Sequence, residues 1–348
     1  MRNAKGLSLI SVLVGTLLGG LAIFAGIQVL STFQNASNRR IADSNAVSQS
    51  SSIGTYLKSN FEGTKSFQNL SLKISLGSGA SISSRGAGFI VEKDAGVDGT
   101  VIPSNCLGRF HRITFAVKDP LPTDVKLAQP LSSGNFQITA GTYLPNPENI
   151  FPQNQLLVVS NVSTSEPIFL NSPIAYPTNF VRAGVNGELK LPITNEMKYF
   201  LPGGNFQGEY LVGDPVYKLR LVRLGVELTD NTHCIGTLKA ISVAPTLNGF
   251  NNLASAPISI GVNRFNAEPI LDSNTSRCSI INDQNKNNID FAALNTDSTG
   301  YCYSIVKQLK TKYSLVYYAS EGRGLASQLE SGAKTREESG EYLFTTNR

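Results

Sequence analysis

Hydropathy divides this chain near its start. Residues 7–33 read LSLISVLVGTLLGGLAIFAGIQVLSTF and contain no charged side chain. At ~20 residues for ~30 Å of hydrocarbon, the run is long enough to cross a bilayer as a helix. Residues 35–52 are polar but hold neither Pro nor Gly, so a helix can continue through them, with Ile41 and Val47 as sparse apolar contacts. From Ile53 an apolar residue recurs at every fourth position, at Ile53, Leu57 and Phe61. That stripe predicts an amphipathic continuation laid against a sheet and ending near Gly63. Gly54 should cost this helix ~1 kcal/mol. A polar linker or an ordinary surface helix is the competing reading.

Beyond residue 69 the period changes from helical to alternating. Candidate strands are residues 71–76, 88–92, 109–117, 136–140, 155–160, 167–170, 180–185, 188–191, 209–212, 216–223, 225–228, 238–243, 258–262 and 313–318. Residues 304–309 suit a strand or a short helix, and residues 341–348 suit a last strand. A Ser/Gly loop at 77–88, turn signals at 94–105, a turn-rich stretch at 121–149 and polar runs at 282–288 and 320–340 separate them. Residues 216–223, VYKLRLVR, give an apolar face of Tyr217, Leu219 and Leu221, with Lys218 and Arg220 toward water. Such basic residues would protect this strand if it lay at a sheet edge. The pattern predicts an α+β protein: a long N-terminal membrane-spanning helix packed on a large antiparallel β-rich globular domain.

Composition fits an exported, turn-rich body. Charged residues are 16 % of 348, with 31 Gly and 16 Pro. The formal charge of +5 is mild and gives no clear nucleic-acid signal. Four cysteines, Cys106, Cys234, Cys278 and Cys302, are disulfide candidates in an exported body. Three pairings are possible. Cys278 with Cys302 closes the smallest neighbouring loop, which leaves Cys106 with Cys234; four buried free thiols are the alternative.

The leader carries the most specific signal. Arg2 and Lys5 precede the apolar run, which is about twice the length of a signal-peptide core, so a retained anchor is favoured over a cleaved signal. Arg2 and Lys5 would stay cytoplasmic, although Arg39 and Arg40 beyond the span pull the other way. Gly15, Gly19, Gly20 and Gly26 lie inside the run, and Gly15 with Gly19 makes a small-xxx-small pair suited to close helix packing. Glycine is also common in membrane helices generally. Lys5-Gly6-Leu7-Ser8-Leu9-Ile10 resembles the processing site of type IV pilin-like proteins, including the pseudopilins of type II secretion. The resemblance implies cleavage by a prepilin peptidase between Gly6 and Leu7, N-methylation of Leu7, and helix packing in a filament core. Most of the family has Glu four residues after the processed residue; here that position is Ser11, which avoids a costly carboxylate in hydrocarbon. Some tip-located minor members lack the same Glu.

The size, the β pattern and the C-terminal strand resemble minor pilins of the PilW type and the larger pseudopilins. The implied organisation is a leader at 1–6, a transmembrane helix at 7–33, its amphipathic continuation at 34–69 and a periplasmic or extracellular β-rich domain at 70–348. The implied protein is a single-pass inner-membrane subunit that enters a pilus or pseudopilus, with other minor pilins, the major pilin, the prepilin peptidase and the inner membrane as partners. No Walker A loop, G-x-G-x-x-G, H-E-x-x-H or G-x-S-x-G occurs. Two histidines, His111 and His233, restrict His-based catalysis. No enzyme, cofactor or metal is therefore expected; an Asn/Asp-rich loop around Asp283 reads as turns before it reads as a calcium site. The alternative class is a membrane-tethered adhesin or DNA-binding module, with Tyr313, Tyr317 and Tyr318 as candidate exposed aromatics.

Overall fold

The computed structural model describes residues 9–64, 67, 70–75, 81–85, 88–131, 135–153, 155–170, 172–176, 188–192, 208–246, 249–271, 306–318 and 335–345. The chain divides into two compact units, Met1–Ser48 with Val316–Glu337 and Gln49–Leu315 with Glu338–Arg348. In chain order the elements are α1 (Leu9–Thr64), β1 (Ser71–Ser75), β2 (Ser81–Arg85), β3 (Phe89–Lys93), β4 (His111–Asp119), β5 (Val125–Leu127), β6 (Asn135–Ala140), α2 (Pro147–Ile150), β7 (Leu156–Ser160), β8 (Ser165–Phe169), β9 (Glu188–Pro192), β10 (Val216–Asp230), β11 (Ile235–Thr246), β12 (Gly249–Leu271), β13 (Val306–Tyr318) and β14 (Thr335–Thr345).

The first unit contains the apolar part of α1. In the second unit the last turns of α1 pack on the sheet. Ile53, Leu57 and Phe61 are at most 1 % exposed. The Phe61 ring lies 5.8 Å from that of Phe89 on β3 and 4.9 Å from that of Phe344 on β14. Burying three such side chains contributes about 1.5–3 kcal/mol each. The helix ends at Thr64, one residue past Gly63. There the Thr64 hydroxyl donates to the Phe61 carbonyl at 2.7 Å, and its own carbonyl accepts the Phe67 N–H at 3.2 Å.

The main sheet has nine strands. Its path is β14-β13-β12-β11-β10-β4-β3, and β7, carrying β8, pairs with the first residues of β10. From β13 through β12, β11, β10 and β4 to β3, neighbouring strands pair antiparallel. The sheet curls until β12 meets the start of β4. There Phe110 bridges Phe265, the Phe265 N–H donates to the Arg109 carbonyl at 2.9 Å, and the Asn266 amide donates to the Gly108 carbonyl at 3.2 Å. Register shifts along β12 supply the bending that this curl requires. A separate three-stranded sheet, β5-β6-β9, shares a second apolar cluster with β7, β8 and the start of β10, including Ile138, Phe151, Leu157, Ile168 and Val216. A two-stranded β1–β2 ribbon completes the described strands.

Several local expectations change. The loop expected at 77–88 contains β2. Residues 209–212 are not a strand; they lead into a turn at 212–213, where the Asp214 N–H donates to the Leu211 carbonyl at 3.1 Å and the Leu211 N–H donates to Asp214 Oδ2 at 2.8 Å. The two strands expected at 216–223 and 225–228 are one, β10, running straight through Gly225. Glycine is needed there because the Val97 backbone crosses close by: a Cβ at Gly225 would lie 3.1 Å from Val97 Cα. Strand β10 is also interior, so Lys218 and Arg220 guard no edge. Both are half-buried, with Nζ 3.6 Å and Nε 3.9 Å from the Asp119 carboxylate on β4. β5 and the short α2 lie inside the stretch read as turns. The segments 180–185 and 282–288 lie outside the described residues.

Candidate membrane anchor and its β domain

The candidate anchor is the stretch Leu13–Gln34, 22 residues with a mean hydropathy of 2.1, long and apolar enough to cross a membrane. At ~1.5 Å per residue it spans about the ~30 Å of a bilayer core. Its large apolar side chains are bare, with Leu13, Leu17, Phe24 and Leu30 each about 60 % exposed. The hydroxyls inside it are satisfied by its own backbone: Thr16 donates to the Leu13 carbonyl at 2.9 Å and Thr32 to the Gln28 carbonyl at 2.8 Å. Polar groups so satisfied are tolerated in hydrocarbon, where no water replaces a lost bond. Gly15, Gly19, Gly20 and Gly26 all lie in this helix with nothing within 4 Å of a notional Cβ, so the backbone there is open to a close neighbour. Gly6 and Leu7 lie outside the described residues, as does Asp283. Of Ser11 the structure describes the helical backbone.

In the β domain, Cys106 is bonded to Cys234. The bond ties the turn before β4 to the turn between β10 and β11, beside the place where β12 returns to β4. Cys278 and Cys302 lie outside the described residues. The Asp230 carboxylate organises the β10–β11 turn by accepting the Thr232 and His233 N–H groups at 2.8 and 3.1 Å and facing His233 Nδ1 at 2.8 Å. Partial burial pushes the Asp230 carboxyl up, but the hydrogen bonds from His233 and Thr232 outweigh it and hold the group below its ordinary value. Asp98 behaves alike: partial burial opposes, bonds from Thr100 win, and its carboxyl is lowered.

His111 is a strand residue, as its sequence context suggests, and it is buried. Its Nδ1 lies 3.0 Å from the Ala267 N–H on β12, which donates to it when the ring is neutral. Burial holds this imidazole below the ordinary histidine value. The next residue of β4, Arg112, forms a buried two-point ion pair with Glu92 on β3, Nε–Oε2 at 2.5 Å and Nη2–Oε1 at 2.7 Å, and Arg112 Nη1 donates to the Gly96 carbonyl at 3.3 Å. Burial, and after it the neighbouring Arg112 charge, lowers the Arg223 guanidinium. Burial likewise raises the Tyr210 phenol, whose hydroxyl lies 3.1 Å from that of Thr164.

Tyr313, offered by sequence as an exposed aromatic, is 2 % exposed. Its ring stacks on Tyr342 at 5.9 Å and its hydroxyl bonds that of Ser50. It is a core residue joining α1, β13 and β14; the side chains of Tyr317 and Tyr318 are outside the described set. Among the described residues no group of three or more His, Cys, Asp and Glu could hold a metal ion. An apolar helix suited by length and composition to a single membrane span is followed by a β domain in which Glu92, Arg112, Asp119 and Asp230 are engaged with neighbouring strands and turns. The small cleft at Lys118, Asp119, Asp124, Lys126 and Tyr217 mixes both charges without a convergent set of catalytic groups. No family model, curated protein or solved structure matches the chain. A long N-terminal helix whose end packs on an antiparallel sheet is the generic pilin-like architecture.

Proposed function

We propose that this chain is a minor subunit of a type IV pilin-like filament, either a PilW-type minor pilin of a pilus or a large minor pseudopilin of type II secretion. One observation supports the reading above others. Helix α1, Leu9–Thr64, is bare and apolar over Leu13–Gln34, and its last turns pack on an antiparallel sheet. Such a helix can hold the subunit in the inner membrane and later exchange lipid for other helices, because either neighbour covers the same apolar surface. The open backbone at Gly15, Gly19, Gly20 and Gly26 suits close approach in that second setting.

In this reading the prepilin peptidase cuts between Gly6 and Leu7, and Leu7 is methylated. Ser11, in place of Glu, favours a rare position at or near the filament tip. Other minor pilins and the major pilin are the partners. The test is intact mass and N-terminal sequencing of the membrane-extracted protein, made with and without the peptidase. A mature chain beginning at methylated Leu7, lost when Gly6 is changed, supports the assignment. A chain still beginning at Met1 overturns it in favour of a plain membrane-tethered protein, and a start beyond Ala22 makes the protein a secreted one.

A further inference from the structure

The curled sheet closes on itself at a short seam between the start of β4 and the returning half of β12. Phe110 and Phe265 form the bridge there, and both are 0 % exposed. The Phe265 N–H donates to the Arg109 carbonyl at 2.9 Å, and the Asn266 amide to the Gly108 carbonyl at 3.2 Å. At Ala267 a side chain takes over from the backbone. His111 Nδ1 lies 3.0 Å from the Ala267 nitrogen and 2.9 Å from the Ala267 carbonyl oxygen. A neutral ring with its hydrogen on Nε2 accepts from the Ala267 N–H. A protonated ring carries hydrogen on both nitrogens and can only donate. It then turns to the carbonyl and leaves the N–H without this acceptor. Ala267 is fully buried, so that loss is costly.

The charges around the ring do little to hold a proton on it. Lys93 stands opposite His111 in the β3–β4 register and opposes a second positive charge. Asp94 and Glu268 favour one, but both are already engaged. Asp94 accepts the Gly108 N–H, and Glu268 faces Lys312 Nζ on β13 at 3.5 Å. Lys310, the β13 partner of Glu268, is paired with Glu341. On β4 itself Arg109 is exposed and Arg112 is bound to Glu92. Burial outweighs the attractive charges. Away from the seam the strands are held by long registers, β4 to β3 and β10, and β12 to β11 and β13.

We propose that His111 is an acid-sensitive latch: its neutral ring holds β12 against the start of β4, and its protonation releases this seam while the rest of the sheet stays paired. Release bares Phe110 and Phe265. The Cys106–Cys234 bond still ties the turn before β4 to the β10–β11 turn, so the opening is local. In the closed seam the ring titrates below the ordinary histidine value, because it is buried. In the open seam it meets water and titrates near ~6.5. As pH falls the open form therefore binds the proton first. The opening constant rises by up to ~tenfold per pH unit below ~6.5 and levels off once the closed ring is protonated too. The device belongs to the β domain and is independent of leader cleavage or filament entry.

The test is hydrogen exchange on the full chain in detergent micelles, from ~pH 7.5 to ~pH 4.5, with rates corrected for intrinsic exchange. Peptides covering Phe265 and Ala267 should lose protection at least ~threefold over this range. Peptides covering residues 221–228, inside the β10 registers, should keep theirs over the upper part of it. His111→Gln, which hydrogen-bonds without titrating, should flatten the profile of the seam, and His233→Gln should leave it as in the parent. A second readout needs no change at the latch. The chain has two histidines, so nitrogen spectra of the ¹⁵N-histidine-labelled parent, assigned with His233→Gln, follow His111 directly. Its Nδ1 should be without hydrogen at neutral pH and gain one over the range in which seam protection is lost. If His111→Gln does not fold, these spectra and the parent's exchange decide. Seam protection indifferent to pH, a pH dependence that survives His111→Gln, an equal and simultaneous loss at residues 221–228, or an Nδ1 that already carries hydrogen at neutral pH overturns the proposal.

Discussion

The ring of Tyr342 lies directly on Gly54. A Cβ at residue 54 would collide with the phenol, and the Tyr342 hydroxyl donates to the Ser50 carbonyl at 3.1 Å one turn earlier on the same helix. Gly54 thus costs helix propensity and repays it in tertiary contact, because the last strand can seat an aromatic ring against bare helix backbone. Gly54→Ala should destabilise the β domain by about 1–3 kcal/mol, the usual cost of overpacking. Tyr342→Ala should also destabilise it. The double variant should cost less than the two singles together, since the clash disappears with the ring. Urea unfolding midpoints of the four proteins check this; strict additivity would show that the two residues do not meet.

The Cys106–Cys234 bond closes a long loop, with 128 residues of sequence separation. In the chain-entropy account such a loop is worth about 4–5 kcal/mol. Cys106→Ser with Cys234→Ser should lower the unfolding midpoint sharply, and reductant should then have a much smaller effect on stability than it has on the parent. Hydrogen exchange should rise first where β12 meets β4, around Phe110 and Phe265, because the bond pins the adjoining turn.

The Glu92–Arg112 pair is buried, with the two side chains 11 % and 7 % exposed. Removing one partner strands the other charge. Glu92→Gln should therefore cost about 3 kcal/mol or more. Replacing both by Met should cost less than Glu92→Gln alone, because no unpaired charge remains. Denaturant titrations of the single and double variants decide between these orders.

Acid should weaken the fold in two stages with different onsets. The folded His111 imidazole titrates below the ordinary histidine value because it is buried. In the unfolded chain it titrates near ~6.5. As pH falls through ~6.5 the unfolded state binds the proton first, so this contribution is full above that value and is lost toward the lower folded one. Asp98 and Asp230 have lowered folded values, since hydrogen bonds outweigh the opposing burial. Their contribution is present above ~3.9 and lost as pH falls toward the folded values. Stability measured from pH 8 to pH 3 should show both declines, and His111→Gln should remove the upper one only.

The local pattern in the sequence determined whatever depends on neighbours in the chain. The bare run that became Leu13–Gln34, the fourfold spacing of Ile53, Leu57 and Phe61, and the helix end beside Gly63 all follow from one helix meeting one environment at a time. Alternation also located the middles of β3, β4, β7 and β10. Tertiary structure alone decided which strands are neighbours, because alternation describes two faces of a strand and is silent about its two edges. It set β10 in the interior, turned Lys218 and Arg220 toward Asp119, and fused segments that Gly225 had seemed to divide. It brought Tyr342 to Gly54 across almost the whole chain and buried Tyr313. Those outcomes depend on contacts between residues far apart in sequence, where chain closure, curl and packing select the partner and local preference has no vote.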